Sequence, residues 1–239
     1  MSGASPHLHH NMQSPTPIVV QSVFVSSASE GRDPEAFPIS GHSRQRLLET
    51  ALRLFDERGL DATSARAVAH EAGHRNVGAV GYHFGDMRGL LHAVIVSHQE
   101  RIDARRHQLL DELEATGNVT PRAAIEAMFT PHIELLDDPE GRQFLRVLNQ
   151  VTNHPTWYPE ASPEVWSSNQ RGVVHLGSLW GHLPRDIQIQ RALMAFGLSS
   201  FAVAERARLL DTDSPHRPIP SRDVFKDDLV TVMERIIGA

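Results

Sequence analysis

There is no cysteine among the 239 residues, which excludes disulfide bridges and thiolate chemistry and makes a reducing, cytoplasmic setting the expected one. No apolar run approaches the ~18 residues needed to span a bilayer, and no membrane role is expected. Ile18 to Val25 is apolar but short, and it lacks the basic flank of a secretion signal. No segment alternates apolar and polar residues convincingly at period two, so the signature of half-buried strands is missing. Paired carboxylates, a nucleophile motif and metal-ligand spacing on one face are missing too, so no enzyme, cofactor or bound metal is expected. A basic excess is also absent. The net charge is −6, whereas a general nucleic-acid binder usually carries the opposite sign.

What is present is helical periodicity. Residues 1–42, rich in Ser, Pro, Gly and His, read as a flexible tail without apolar spacing. The tail's His7, His9 and His10 could meet a metal ion, yet a solvated tail is the simpler reading. From Ser43 onward Leu47, Leu48, Ala51, Leu54 and Phe55 recur at three and four, the mark of one buried helix face. Gly59 stops that helix. Thr63 or Ser64 can cap a second, short helix whose inner face is Ala67, Val68 and Ala72, and which Gly73 ends. Asn76 is placed to cap a third helix running to about Phe84. Asp86 can cap a fourth, carrying Leu90, Leu91, Val94, Ile95, Ile102, Leu109 and Leu113, which Thr116-Gly117-Asn118 breaks. Further helices follow from Ile125 to Leu136, from Phe144 to Val151, from Pro163 to Gly181, from Pro184 to about Leu210 and from Val224 to Ile237. The expected fold is all-α. A three-helix helix-turn-helix domain (43–89) joins a larger helical domain (90–239) for ligand binding and dimerisation.

Two short helices joined by a Gly-bearing turn and buttressed by a preceding helix describe a helix-turn-helix. The first must pack through small residues, which Ala65, Ala67, Ala69, Ala72 and Gly73 supply. The second must leave a surface free for base edges, expected here at Val77, Gly78, Ala79, Gly81 and Tyr82, with Val80 and Phe84 inward. Between Ser43 and Leu90 seven arginines face six acids, leaving +1 there and −7 elsewhere. That is a weakly basic head on an acidic body.

The run SRQRLLETALRLFDERGLDATSARAVAHEAG followed by HRNVGAVGYHFGDMRGLL resembles the DNA-binding domain of the TetR family. Phe55 and Gly59, Thr63-Ser64, Ala72-Gly73 and Tyr82-His83-Phe84-Gly85 before a long helix carry the likeness. By position, the resemblance implies base contacts at Val77, Gly78, Ala79 and Gly81. It implies phosphate contacts at Tyr82, His83 and the start of the fourth helix, and a backbone approach by Thr63 or Ser64 with Arg66. Arg44 and Arg46 would reach phosphates or the minor groove. Three departures stand out. The turn holds one extra residue around His74-Arg75, Met87 stands where Lys or Arg is frequent with Arg88 beside it as a substitute, and Gly78 and Gly81 offer bases no side chain. Readout then falls to Val77, Ala79, Tyr82 and Arg75, through thymine methyls and groove shape.

In the second half, Met128, His132, Phe144, Leu148, Trp157 and Trp166 are candidates for lining an apolar effector pocket, although stripes of this kind also serve as plain core. Ala192, Ala195, Phe196, Ser199 and Val203, with Phe225, Leu229, Val232 and Ile236, form two faces expected to build a four-helix dimer interface. The favoured reading is a homodimeric regulator, a repressor released from operator DNA by an unknown small-molecule effector. The competing readings are a small helical metal-dependent enzyme, suggested by 15 histidines, and a helical adaptor with a degenerate helix-turn-helix. For His70 and His74, four apart, a metal pair lacks a third ligand.

Overall fold

The computed structural model describes residues 41–154, 167–213 and 218–238, which hold helices and no strand. The expectations for residues 1–40 of the N-terminal tail, Trp157 and Trp166 lie outside them, while Gly41 and His42, expected in that tail, open the first helix. Four helices lead: α1 Gly41–Arg58, α2 Ala65–Glu71, α3 Ala79–Phe84 and α4 Met87–Ala115. Six follow: α5 Pro121–Glu134, α6 Pro139–Thr152, α7 Ser167–His175, α8 Gly177–Trp180, α9 Arg185–Leu210 and α10 Arg222–Gly238. A 3-10 turn, Leu135–Asp137, joins α5 to α6.

The head forms as the local chemistry dictates. Leu47, Ala51, Leu54 and Phe55 are wholly buried and meet Val68, Ala69, Val80, Leu90 and Leu91 in one core. Gly59 takes a left-handed φ of 87° and closes α1 with its N–H on the Phe55 carbonyl at 3.0 Å. Ser64 caps α2, accepting from the Ala67 N–H, and Asp86 caps α4, accepting from the Gly89 N–H at 2.8 Å. α3 starts later than Asn76 suggests. The Asn76 side chain accepts from the Gly78 N–H at 2.8 Å, making a turn ahead of the helix rather than its cap. Gly89 fixes the angle between α3 and α4, because a Cβ there would lie 1.9 Å from the Phe84 carbonyl oxygen.

α4 runs from the head into the body. Its 29 residues span roughly 43 Å at about 1.5 Å each. Its buried face differs from the expected one beyond Ile102: Asp103, Arg106 and Leu110 turn inward, while Leu109 is only half-buried. In the body α6 lies along α9, α5 packs between α4 and α10, and α7 crosses α4 and α5. The expected helix Pro163–Gly181 is, over its described part, two pieces hinged at Leu176. α9 is long and apolar enough, by length and composition, to cross a bilayer, yet it is a body helix packed on α6 and α10.

Candidate functional site

The α2–turn–α3 unit projects from the head. Val77 is 53% exposed and Tyr82 57%, with Gly78 and Gly81 open beside them. The Tyr82 ring stands edge-on to that of His83 at 5.0 Å, which props it outward. Ala79, expected outward, is only 7% exposed and packs into the head core next to Val80. The reason is the late start of α3: at its first turn, two adjacent residues rather than one face inward. Thr63 is also corrected. Its hydroxyl donates to the carbonyls of Leu54 at 3.1 Å and Gly59 at 2.8 Å, leaving it 6% exposed and committed to the α1–α2 corner. Ser64 stays exposed while it caps α2.

Arginines frame this surface. Arg44, Arg46, Arg66, Arg75 and Arg88 are exposed and form no ion pair with the described residues. Arg53 and Arg58 differ, for both donate to Glu71 (2.6 and 2.5 Å) and tie α1 to α2. Their hold keeps the Glu71 carboxyl below its ordinary range. Arg44 lies over the Phe84 ring at 5.1 Å. Ser43 Oγ meets His74 Nε2 at 3.3 Å, so His74 has a partner on α1. These contacts set the start of α1 beside the recognition turn. His83 fits a phosphate role less well. Its Nε2 is enclosed without a partner, and burial, then the charges of His74 and Arg44, push its pKa down and favour the neutral ring.

A second region lies where α4, α5 and α7 meet. Arg106 is 1% exposed; its Nε donates to the Met128 carbonyl at 3.1 Å and its Nη1 to Ser168 Oγ at 2.9 Å. The Ser168 amide and hydroxyl both donate to Asp103. Burial lowers the Arg106 pKa to about 10 against the opposing pull of Asp103. His132, on the same face of α5 as Met128, has an enclosed, unpartnered Nδ1; burial first, then the Arg106 charge, holds it neutral with a pKa of about 3. Sequence reading named Met128 and His132 but missed Arg106, Asp103 and Ser168. The available signal was a pair of charges three apart inside an otherwise apolar stripe. Phe144 is wholly buried with its ring stacked on His98 at 4.3 Å, and Leu148 is buried beside it on α6.

The expected dimer faces need correction. Ala195, Ser199, Val203 and Leu229 are buried within their own chain, and Ala192, Phe225, Val232 and Ile236 pack half-buried on the same core. Phe196 is half-buried. Small residues allow close helix approach, and here α6 and α10 use that approach inside the subunit. The open face of α9 is instead Leu193, Met194, Leu198 and Phe201, large apolar groups that are 39–57% exposed.

Residues 47–94 match the sequence profile of bacterial regulatory proteins of the tetR family. The HTH-type transcriptional repressor KstR2 of Rhodococcus jostii (strain RHA1) is 27% identical over 164 residues, 66% of this chain and 78% of that protein. The HTH-type transcriptional regulator SrpR of Pseudomonas putida is 29% identical over 106 residues, 44% of this chain and 45% of that protein. A tetR-family bacterial regulatory protein from Rhodococcus RHA1 superposes with a TM-score of 0.51 at 16% identity, covering 84% of this chain and 99% of that one. The shared architecture is an N-terminal helix-turn-helix domain and a helical C-terminal domain.

Proposed function

We propose, for a chain that belongs through its helix-turn-helix head to the TetR family of transcriptional regulators, that it is a cytoplasmic homodimeric repressor of operator DNA released by a small molecule. The observation that carries this is the exposed surface at Val77, Gly78, Gly81 and Tyr82, framed by five arginines that have no carboxylate partner among the described residues. Unpaired guanidinium groups suit phosphates, and an apolar, glycine-bearing recognition surface suits thymine methyls and groove shape. Tyr82, Ser64, Arg44, Arg46, Arg66, Arg75 and Arg88 are assigned to the backbone, with Val77, Gly78 and Gly81 toward the bases.

One head binds one half-site. Two half-sites about 34 Å apart demand a dimer, and the open α9 ridge supplies a face for it. Only 28% of the apolar window of α9 is buried within the chain, which favours a partner helix over solvent. An effector held between α4, α5 and α7 would favour a body conformation in which the two heads are mis-spaced. A coupling of about 1.4 kcal/mol changes operator affinity tenfold.

A gel-shift titration on the DNA upstream of the chain's own gene tests the reading. Retention that weakens steeply with salt is expected. No binding at low salt would reject it.

A further inference from the structure

The effector region contains an unmet hydrogen-bonding group, and its surroundings say what would meet it. His132 Nδ1 is enclosed and unpartnered. Such an atom is costly to leave alone, because burial strips its water without replacing it. Around it the polar groups bond mainly to one another. Arg106 gives its Nε to the Met128 carbonyl and its Nη1 to Ser168, and Ser168 hands its own proton to Asp103. Apolar residues flank this cluster. Ile102 and Leu110, one turn to either side of Arg106, are buried, and Met128 stands one turn before His132. The Met128 side chain presses on α7 so closely that a Cβ at Gly172 would lie 2.7 Å from its Cγ. A methionine is unbranched and adaptable, which suits a plug that a ligand can push aside.

The charge count narrows the chemistry. Arg106 and Asp103 bring one charge of each sign joined through Ser168, His107 Nε2 lies 3.6 Å from Asp103 Oδ2, and the imidazole of His132 is held neutral. A carboxylate entering this buried space would have to share Arg106 with Asp103. A neutral group avoids that cost. Among neutral groups a hydroxyl both donates and accepts, so it satisfies Nδ1 in either tautomer of the ring.

We propose that the effector is a largely apolar, uncharged molecule bearing a hydroxyl, which displaces Met128 and hydrogen-bonds to His132 Nδ1 beside the self-neutralised Arg106–Asp103–Ser168 cluster. This rests on the ligand-released regulator reading and names the ligand class at that site.

The test uses the full chain with 1-octanol and 1-decanol against octanoate and decanoate as probes, followed by thermal unfolding and by the nitrogen shift of the His132 ring. The alcohols are expected to raise the unfolding midpoint and move the ring signal, and the matched carboxylates to do neither. In His132→Phe the alcohols should bind about tenfold more weakly, whereas His132→Gln, which keeps a polar partner, should retain part of the response. Operator binding without ligand verifies that each variant is folded. Equal or stronger binding of the carboxylates, no response to either alcohol, or an unchanged response in His132→Phe would each overturn the proposal. Alcohol binding that leaves the operator complex intact would uphold the site and sink the release mechanism, so the two failures are separable.

Discussion

The recognition surface of the head and the helix seams of the body of this molecule use arginine differently. On the head, Arg44, Arg46, Arg66, Arg75 and Arg88 extend into solvent without a carboxylate. On the body, Arg105 is clasped by Glu134, Arg122 by Asp227 and Glu234, and Arg171 by Glu114 and Asp111. The net charge of the whole chain hides this division. A protein with a net −6 can still present a cationic face, because pairing, not the number of arginines, decides which charges remain available to a polyanion.

The contrast can be broken most severely at the open α9 ridge, since in the proposed dimer the heads act together only if the bodies are joined. Phe201→Glu places a charge in the open apolar face of α9. It should yield monomers by sedimentation and lower affinity for a two-half-site operator by at least ~100-fold, with affinity for a single half-site preserved. Next in size is Gly89→Ala, whose methyl would collide with the Phe84 carbonyl. About 2–4 kcal/mol of stability should be lost in urea denaturation, because backbone must move.

The body should show a stronger acid response than the head, where burial shifts His83 in the same direction. The folded-state pKa of His132 is depressed from 6.5 to about 3, so between those values the unfolded chain binds the extra proton. Stability therefore falls as pH drops from 6.5 toward 3. In His132→Phe that slope should be shallower. The smallest effect sharpens the comparison directly. Arg66→Ala is expected to weaken operator binding about fivefold and reduce the salt slope by about 1. Arg171→Ala should leave both unchanged in the same titration.

How far the sequence could be read differs between the two regions for a physical reason. In the head, the Leu47–Phe55 spacing, Gly59, Ser64, Gly73 and Asp86 are local signals, and each sits where its chemistry directs it. Ala79 and Thr63 were misplaced because their fate depends on a one-residue delay in α3 and on carbonyls of α1 brought near only by folding. In the body, small residues on α9 looked like an interface. Nothing local distinguishes a helix face that meets α6 of its own chain from one that meets another subunit. The buried cluster of Asp103, Arg106 and Ser168 escaped notice for a similar reason, since it unites residues 65 positions apart.

One joint between the regions has a mechanical meaning. Arg146, on α6, grips Asp56 of α1 with two hydrogen bonds (2.7 and 2.6 Å) and Asp211, just past the end of α9, with a third (2.5 Å). Gln150, one turn further along α6, donates to the Phe55 carbonyl at 3.1 Å. The head is thus joined to the body through α4 and along a seam on α6, where His154 Nε2 also lies 3.1 Å from Asp61, rather than swinging on a single pivot. A door hinged along a seam keeps one axis of rotation, and a tilt off that axis strains the grip of Arg146 on its carboxylates.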